Sequence, residues 1–127
     1  MKRALSEHRE ETKTHVANIE ECFRLLGEEV DDSPCPTIEA MAKEAKATLK
    51  KAEDAIADAV VLTAAIEAEH HEIAVYEALI INAEARNALD VAELLRRNLE
   101  QEQHALDVAR TAMQTIAREG ISVAASA

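Results

Sequence analysis

The chain has 127 residues, of which 25 are acidic and 14 basic, and its formal net charge at pH 7 is −11. This length suits a single domain over residues 1–127, and the acidic excess argues against nucleic acids and anionic membrane surfaces as partners. Two glycines, two prolines and 2% aromatic residues predict long helices with an aliphatic core and argue against a β-sheet.

The first helix is predicted from about residue 3 to about residue 26, with Gly27 as its stop. His8, Glu11 and His15 are spaced by three and four residues, so helical geometry places two imidazoles and one carboxylate in a single row. That row lies within or at the edge of the predicted apolar side, which consists of Leu5, Thr12, Val16, Ile19, Phe23 and Leu26.

The segment 28–37 is predicted as a loop, because it contains both prolines and a cluster of acidic residues. Thr37 is positioned to cap a short helix over about residues 38–50. A weak break is predicted at 51–54, where Asp54 would cap the next helix; an unbroken helix through this point is the alternative.

The central helix is predicted over residues 54–85, and Arg86 and Asn87 mark the following turn, where asparagine suits a left-handed stop. Its apolar seam, read at a spacing of three and four residues, is Leu62, Ile66, Glu69, Ile73, Tyr76, Ile80 and Ala83. Glu69 stands where an aliphatic residue is expected. A buried ionised carboxylate costs on the order of several kcal/mol unless it is paired, protonated or bound to a cation. Glu72 lies one turn further on, beside Glu69.

The last helix is predicted over residues 89–118, with Gly120 as its stop and residues 119–127 as a frayed tail. Its seam consists of Val91, Leu95, Leu99, Glu102, Leu106, Ala109, Met113 and Ile116. Glu102 therefore interrupts an aliphatic stripe, as Glu69 does in the preceding helix.

Ionisable side chains thus occur on the expected buried faces of all three long helices. Carboxylates and imidazoles that project into a bundle core from facing helices are the ligands of di-iron and di-manganese sites. A bound metal would offset the desolvation of the glutamates. A metal-free polar network in the core is the alternative. His70, His71 and His104 are predicted to face solvent and to take no part.

Other features predict little catalytic machinery. The sequence has no run of eighteen apolar residues and no signal-peptide core, so a cytoplasmic chain without a membrane span is expected. Cys22 and Cys35 are predicted to be free thiols, with a disulfide between them as the minority alternative. No glycine-rich phosphate loop and no activated thiol are recognised. The sequence therefore identifies no catalytic residue or substrate and leaves open whether the protein is an enzyme.

Three stretches resemble the YciE/YciF-like ferritin-like proteins, a family linked to bacterial and archaeal stress responses. They are HREETKTHVANIEECFRLLG at 8–27, AEHHEIAVYEAL at 68–79 and LLRRNLEQEQHALDVA at 94–109, and the short helix after SPCP falls in the same order. The resemblance covers most of the chain. It implies an all-α, ferritin-like antiparallel helical bundle, with three long helices and one short helix in this chain, and a two-metal site.

The resemblance also implies a ligand set, which falls on Glu11, His15, Glu69, Glu72 and Glu102. His15 would be a terminal ligand, and the four glutamates would be terminal or bridging. Two iron or two manganese ions are implied, with oxidation of Fe(II) by O2 or peroxide as the chemistry. The chain departs from the family at Leu106, where an acid is usual, while the adjacent Asp107 is rotated away from the seam.

The family's first long helix has no evident counterpart, and the chain is expected to begin at the second family helix. Such a bundle would expose an apolar strip, which a homodimer could cover; a monomer that repacks without metal is the other outcome. The first functional hypothesis is a ferritin-like metal-binding protein with a stress-related redox role. The alternative is a non-enzymatic helical stress or assembly protein with a degenerate, metal-free site. An adaptor that lays a helix into a partner's groove is less well supported, because the helices look mutually complementary.

Overall fold

The structure is a computed structural model that describes residues 2–126, with side chains as far as Gly120. Four helices occupy most of this range: α1 (Lys2–Leu26), α2 (Pro36–Lys51), α3 (Asp54–Ala85) and α4 (Leu89–Ser126). Residues 2–126 contain no β-strand, and none of the helices described there is long and apolar enough to cross a membrane. The prediction of an all-α bundle with three long helices and one short helix is confirmed.

Helices α3 and α4 form an antiparallel hairpin, and the other two helices lie against it. Helix α1 lies on α4 and α2 lies on α3. Along α1, His15 contacts Glu102 and Cys22 contacts Val91, so α1 runs antiparallel to α4. Within residues 2–126, α1 and α2 do not pack on each other. The bundle is therefore open on the side between these two helices.

The aliphatic core lies at the end of the hairpin next to its connecting turn. It consists of Cys22, Tyr76, Ile80, Ala83, Val91, Ala92 and Leu95. Because Ala83 and Ala92 have small side chains, α3 and α4 can approach closely there. Glu69 lies seven residues before Tyr76, and Glu102 lies seven residues after Leu95. Both carboxylates are therefore about two helical turns from this core.

Two helix ends match the prediction, because local backbone chemistry decides them. Gly27 and Asn87 have φ values of 71° and 56°, in the left-handed region. In each case the next residue donates its N–H to a carbonyl five residues back: Glu28 to Phe23 at 3.0 Å and Ala88 to Ala83 at 2.9 Å. These are Schellman motifs, which satisfy carbonyls that the end of a helix leaves unpaired.

The start of α2 differs from the prediction. Cys35 is the N-cap and Pro36 the first helical residue, so Thr37 lies inside the first turn and does not cap the helix. Proline suits this position because its φ is already helical and its missing N–H would have no partner there. The break between α2 and α3 is confirmed, with Glu53 in place of Asp54 as the N-cap of α3.

Helix α4 continues past its predicted end. The sequence predicts a stop at Gly120, but the helix extends to Ser126. A glycine inside a helix costs only about 1 kcal/mol relative to alanine, and no proline follows it to end the helix. Fraying over residues 119–127 stays a prediction, and Ala127 lies outside the described residues.

The buried face of α1 overlaps only in part with the predicted apolar side, of which Ile19 packs against the core. His15 and Cys22 are buried, whereas Leu5, Val16 and Leu26 are 44%, 51% and 55% exposed. The contact with α4 turns the polar row inwards, because His15 finds its hydrogen-bond partner there. The buried face of α1 is therefore rotated by about one residue from the predicted apolar side, and part of that predicted side faces outwards.

Candidate functional site

Ionisable side chains from three helices meet in the interior. Glu69 comes from α3, Glu102 from α4 and His8 from α1, and one possible ligand atom of each lies within 4.8 Å of the others. His8 Nε2 is 3.1 Å from Glu69 Oε1. Glu69 and Glu102 are only 5% and 2% exposed. Helix α3 carries Glu69 between the buried Leu62 and Tyr76, so the packing that buries these neighbours also buries the carboxylate.

This cluster contains buried polar atoms without hydrogen-bond partners, namely Glu69 Oε2, Glu102 Oε2 and His8 Nδ1. Leaving such an atom unsatisfied costs about 1–3 kcal/mol, and more when the group is charged. With Nε2–H donating to Glu69, the Nδ1 atom of a neutral His8 is an acceptor. All three unpartnered atoms can therefore accept, and a cation or a group that carries only donors would satisfy them.

Glu72 adds a third carboxyl group, close enough to Glu102 for the two to affect each other's pKa. Burial, together with the negative charge of Glu102, raises the pKa of Glu72 to about 7. Burial and the neighbouring Glu69 carboxylate also raise the pKa of Glu102. The hydrogen bond to Glu69 raises the pKa of His8, although partial burial opposes it. Without a bound cation, the cluster retains protons that ordinary glutamates lose well below neutral pH.

His15 lies behind Glu102 and fixes its position. His15 Nδ1 is 2.8 Å from Glu102 Oε1, and His15 Nε2 is 2.6 Å from Gln101 Oε1. Both ring nitrogens are therefore engaged with α4. In this arrangement His15 orients a carboxylate of the cluster, in the way that outer-shell residues orient metal ligands.

Asn98 joins all three long helices from the middle of the same region. It is wholly buried, and its amide nitrogen donates to the backbone carbonyl of His15 and to the hydroxyl of Tyr76, each at 3.2 Å. Its Oδ1 atom accepts from Asn18 at 2.8 Å. Every polar atom of this amide is satisfied, so the network holds α1 at a fixed height along α3 and α4.

The five predicted ligands are Glu11, His15, Glu69, Glu72 and Glu102. The structure brings the last three together, while His15 contacts the cluster only through Glu102. Glu11 lies at the margin: its side chain is 34% exposed and its Oε2 atom is 3.9 Å from His8 Nδ1. Direct ligation by Glu11 and His15 stays a prediction.

Two members of the site are missing from the predicted set. His8 provides the imidazole that contacts Glu69, and it lies seven residues before His15, two turns away on the same face of the helix. Asn98 lies three residues after Leu95 and four before Glu102, a spacing that suits the seam of α4 as well as the predicted Leu99 does. These spacings are compatible with a place in the site, but the rotation of each helix decides whether either residue joins it.

The remaining histidines and the cysteines are not part of the ligand triad, although His104 lines a cavity together with His8 and Glu69. His70 and His104 are exposed, as predicted, whereas His71 is half-buried, with Nε2 4.0 Å from Cys35 Sγ. Cys22 and Cys35 are free thiols, also as predicted. None of these groups contributes a ligand atom to the triad of His8, Glu69 and Glu102.

Comparison with known proteins places the chain in a family. A search of curated proteins gives no match. Among solved structures, the chain is similar to YcfI from Rhodopseudomonas palustris, described as "a putative structural protein", with a TM-score of 0.83 and 33% sequence identity over 86% of this chain and 70% of that chain. A family model described as a domain of unknown function, DUF892, matches residues 1–124. The chain therefore belongs to the DUF892 family.

Proposed function

We propose that this protein binds a divalent metal ion at the cluster of His8, Glu69 and Glu102. The observation that carries the proposal is the pair of buried carboxylate oxygens, one on Glu69 and one on Glu102, that have no hydrogen-bond partner. A cation would satisfy both oxygens and would remove the repulsion between the two carboxylates. An imidazole nitrogen with carboxylate oxygens is a donor set that suits Fe(II) or Mn(II).

We include in this proposal two features that the YciE/YciF resemblance implies, a ferritin-like bundle and a site for two ions. Carboxylates on facing helices of a four-helix bundle support them. Glu72 is a further donor beside Glu102, and Glu11 and His15 are the additional groups that a second ion would need. Bound iron or manganese would supply redox chemistry with O2 or peroxide, which fits a role in stress responses.

The side chains around the cluster prepare it to receive a cation. His15 holds Glu102 through Oε1, which leaves Oε2 free. The protons that Glu72 and Glu102 retain would be released when a cation binds, so metal affinity should increase with pH. The burial of Glu69 and Glu102 also limits the access of water to their carboxylates.

Metal content and thermal stability test this proposal together. Metal-free protein would be titrated anaerobically with Fe(II), and separately with Mn(II), while bound metal and Tm are measured. We expect at least one ion per chain and a Tm that rises with metal concentration, because a ligand that binds only the folded state stabilises it. Glu102→Gln should abolish the effect, and Glu100→Gln, an exposed position on the same helix, should retain it. Folded wild-type protein that binds no metal would contradict the proposal.

The second candidate is a non-enzymatic structural or assembly protein with a metal-free polar network. The saturated hydrogen bonds of Asn98 favour it, as does the description of YcfI as structural. This hypothesis requires a Tm that does not respond to Fe(II) or Mn(II). It also requires that Glu102→Gln changes stability without changing metal content, so the same titration separates the two functions.

We also propose that the protein is a cytoplasmic homodimer. Val75 and Leu79 share one face of α3 and are 43% and 47% exposed, and Val16 on α1 is 51% exposed. A second copy that covers these apolar side chains would close the open side of the bundle. The two free thiols suit a reducing compartment, which supports the cytoplasm as the location.

A further inference from the structure

A partly enclosed cavity of about 140 Å³ lies beside the cluster, between α1, α3 and α4. Most of its wall is aliphatic and includes Leu5, Leu62, Ala65, Ala105, Val108 and Ala112. Three of these six residues are alanines, whose small side chains leave the space open. An apolar cavity of about 150 Å³ can hold a benzene molecule, so this one has room for about six non-hydrogen atoms.

One end of the cavity is polar and acidic. His8 and Glu69 line it there, with Glu7, Glu11 and His104 close by, and the described residues that line it include no lysine or arginine. Glu69 is 5% exposed and its Oε2 atom has no partner. His8 Nδ1 is likewise unpartnered. The polar end therefore places carboxylate and imidazole side chains, with negative charge, next to an aliphatic space.

We propose that this cavity binds a small primary alkylammonium ion of about six non-hydrogen atoms. The ammonium group lies at Glu69 and the alkyl chain lies among the aliphatic walls. An ammonium group has three donors and no acceptor, which matches the acceptors at the polar end. A carboxylate ligand would meet like charge, and an alcohol would leave the charge of Glu69 uncompensated. The proposal goes beyond metal binding, because a metal ion alone leaves the aliphatic part of the cavity empty.

Calorimetric titration of the metal-free protein with n-alkylamines from ethyl to hexyl tests the proposal. These amines are charged at neutral pH. We expect affinity to rise about fourfold per methylene, because each methylene leaves water for an apolar wall. The rise should end near pentylammonium, when the chain fills the cavity. Neutral 1-butanol and anionic butyrate match butylammonium in size and should bind about tenfold or more weakly.

Variants locate the binding. Ala112→Leu fills the aliphatic end of the cavity and should weaken butylammonium binding about tenfold or more. Ala64→Leu, which lines a separate groove between α2 and α3, should leave it unchanged. Glu69→Gln keeps the shape but removes the charge, so the preference for butylammonium over 1-butanol should disappear.

Three results would each overturn the proposal: affinity independent of chain length, equal binding of 1-butanol, or unchanged binding in Ala112→Leu. If Ala112→Leu does not fold, Ala105→Leu fills the same cavity from one side and replaces it. Because the titration contains no metal, its failure would leave metal binding at the cluster unaffected, and the two outcomes can be told apart.

Discussion

The side chain of Asn98 links the three long helices through hydrogen bonds, so its loss should lower the stability of the protein. Replacing Asn98 with alanine leaves the Tyr76 hydroxyl and the Asn18 amide without their partner in a buried region. We expect the free energy of unfolding to fall by about 1–3 kcal/mol, measured by urea denaturation of the metal-free protein. The matched control is Gln103→Ala, an exposed position on the same helix, which should change stability by about 0.5 kcal/mol or less. Equal effects of the two substitutions would contradict this account of the network.

Protonation of Glu72 makes the stability of the metal-free protein depend on pH. Burial raises the pKa of Glu72 to about 7 in the folded state, from 4.5 for an ordinary glutamate. Between these pH values the folded protein binds more protons than the unfolded chain, so the free energy of unfolding falls as pH rises. The stabilisation is complete below the unfolded pKa and is lost as pH rises through about 7.

Urea denaturation at pH 5.5 and pH 8, with a chelator present, measures this effect. We expect the protein to be more stable at the lower pH by on the order of 1–2 kcal/mol, since solvent screens part of the interaction at a half-buried group. Glu72→Gln should reduce the difference. Glu77→Gln, which removes an exposed charge from the same helix, should keep it. The same pH dependence in both variants would show that another group is responsible.

At the scale of the helices, the turn between α3 and α4 depends on one residue in the left-handed region, Asn87, with a φ of 56°. Asn87→Gly should preserve or increase stability, because glycine adopts this conformation without strain. Asn87→Val should cost about 1–2 kcal/mol, since a branched Cβ clashes with the backbone there. Thermal unfolding of the two variants, with glycine as the matched control, measures the difference. A valine variant as stable as the glycine variant would rule out strain at this turn.

The helix ends that the sequence predicts correctly are those that local chemistry decides. Gly27 and Asn87 end their helices through backbone conformations that other residues adopt with difficulty. The start of α2 is also local, because Pro36 suits the first helical position, but Thr37 and Pro36 are both good signals for a helix start. The rotation of α1 depends on its contact with α4, which a period of 3.6 residues does not determine to within one position. Glu69 and Glu102 can be predicted as members of the site, because each interrupts an aliphatic seam. His8 and Asn98 cannot be assigned to it until the rotation of each helix is known.

At the scale of the whole molecule, two kinds of packing hold the helices together. Aliphatic side chains join α3 to α4 near their turn, whereas polar bonds through His15 and Asn98 contribute much of the contact between α1 and α4. Helix α2 contacts only α3 among the described helices. The bundle therefore has a closely packed hairpin at its centre and an open side between α1 and α2. Apolar side chains such as Val75 and Leu79 remain exposed on α3.

If a second copy covers that open side, Leu79→Lys should weaken the dimer by about 30-fold or more, which is the effect of a hot-spot residue worth about 2 kcal/mol. Leu79 is already 47% exposed within one chain, so the variant should keep its helicity. Sedimentation equilibrium across a range of concentrations measures the dissociation constant. The matched control is Ile81→Lys, because Ile81 is 65% exposed but lies on another face of α3.

Each chain carries a net charge of −11, so added salt should tighten the wild-type dimer by screening repulsion between the copies. A wild-type protein that stays monomeric throughout, or equal weakening by both substitutions, would show that this face does not join two copies.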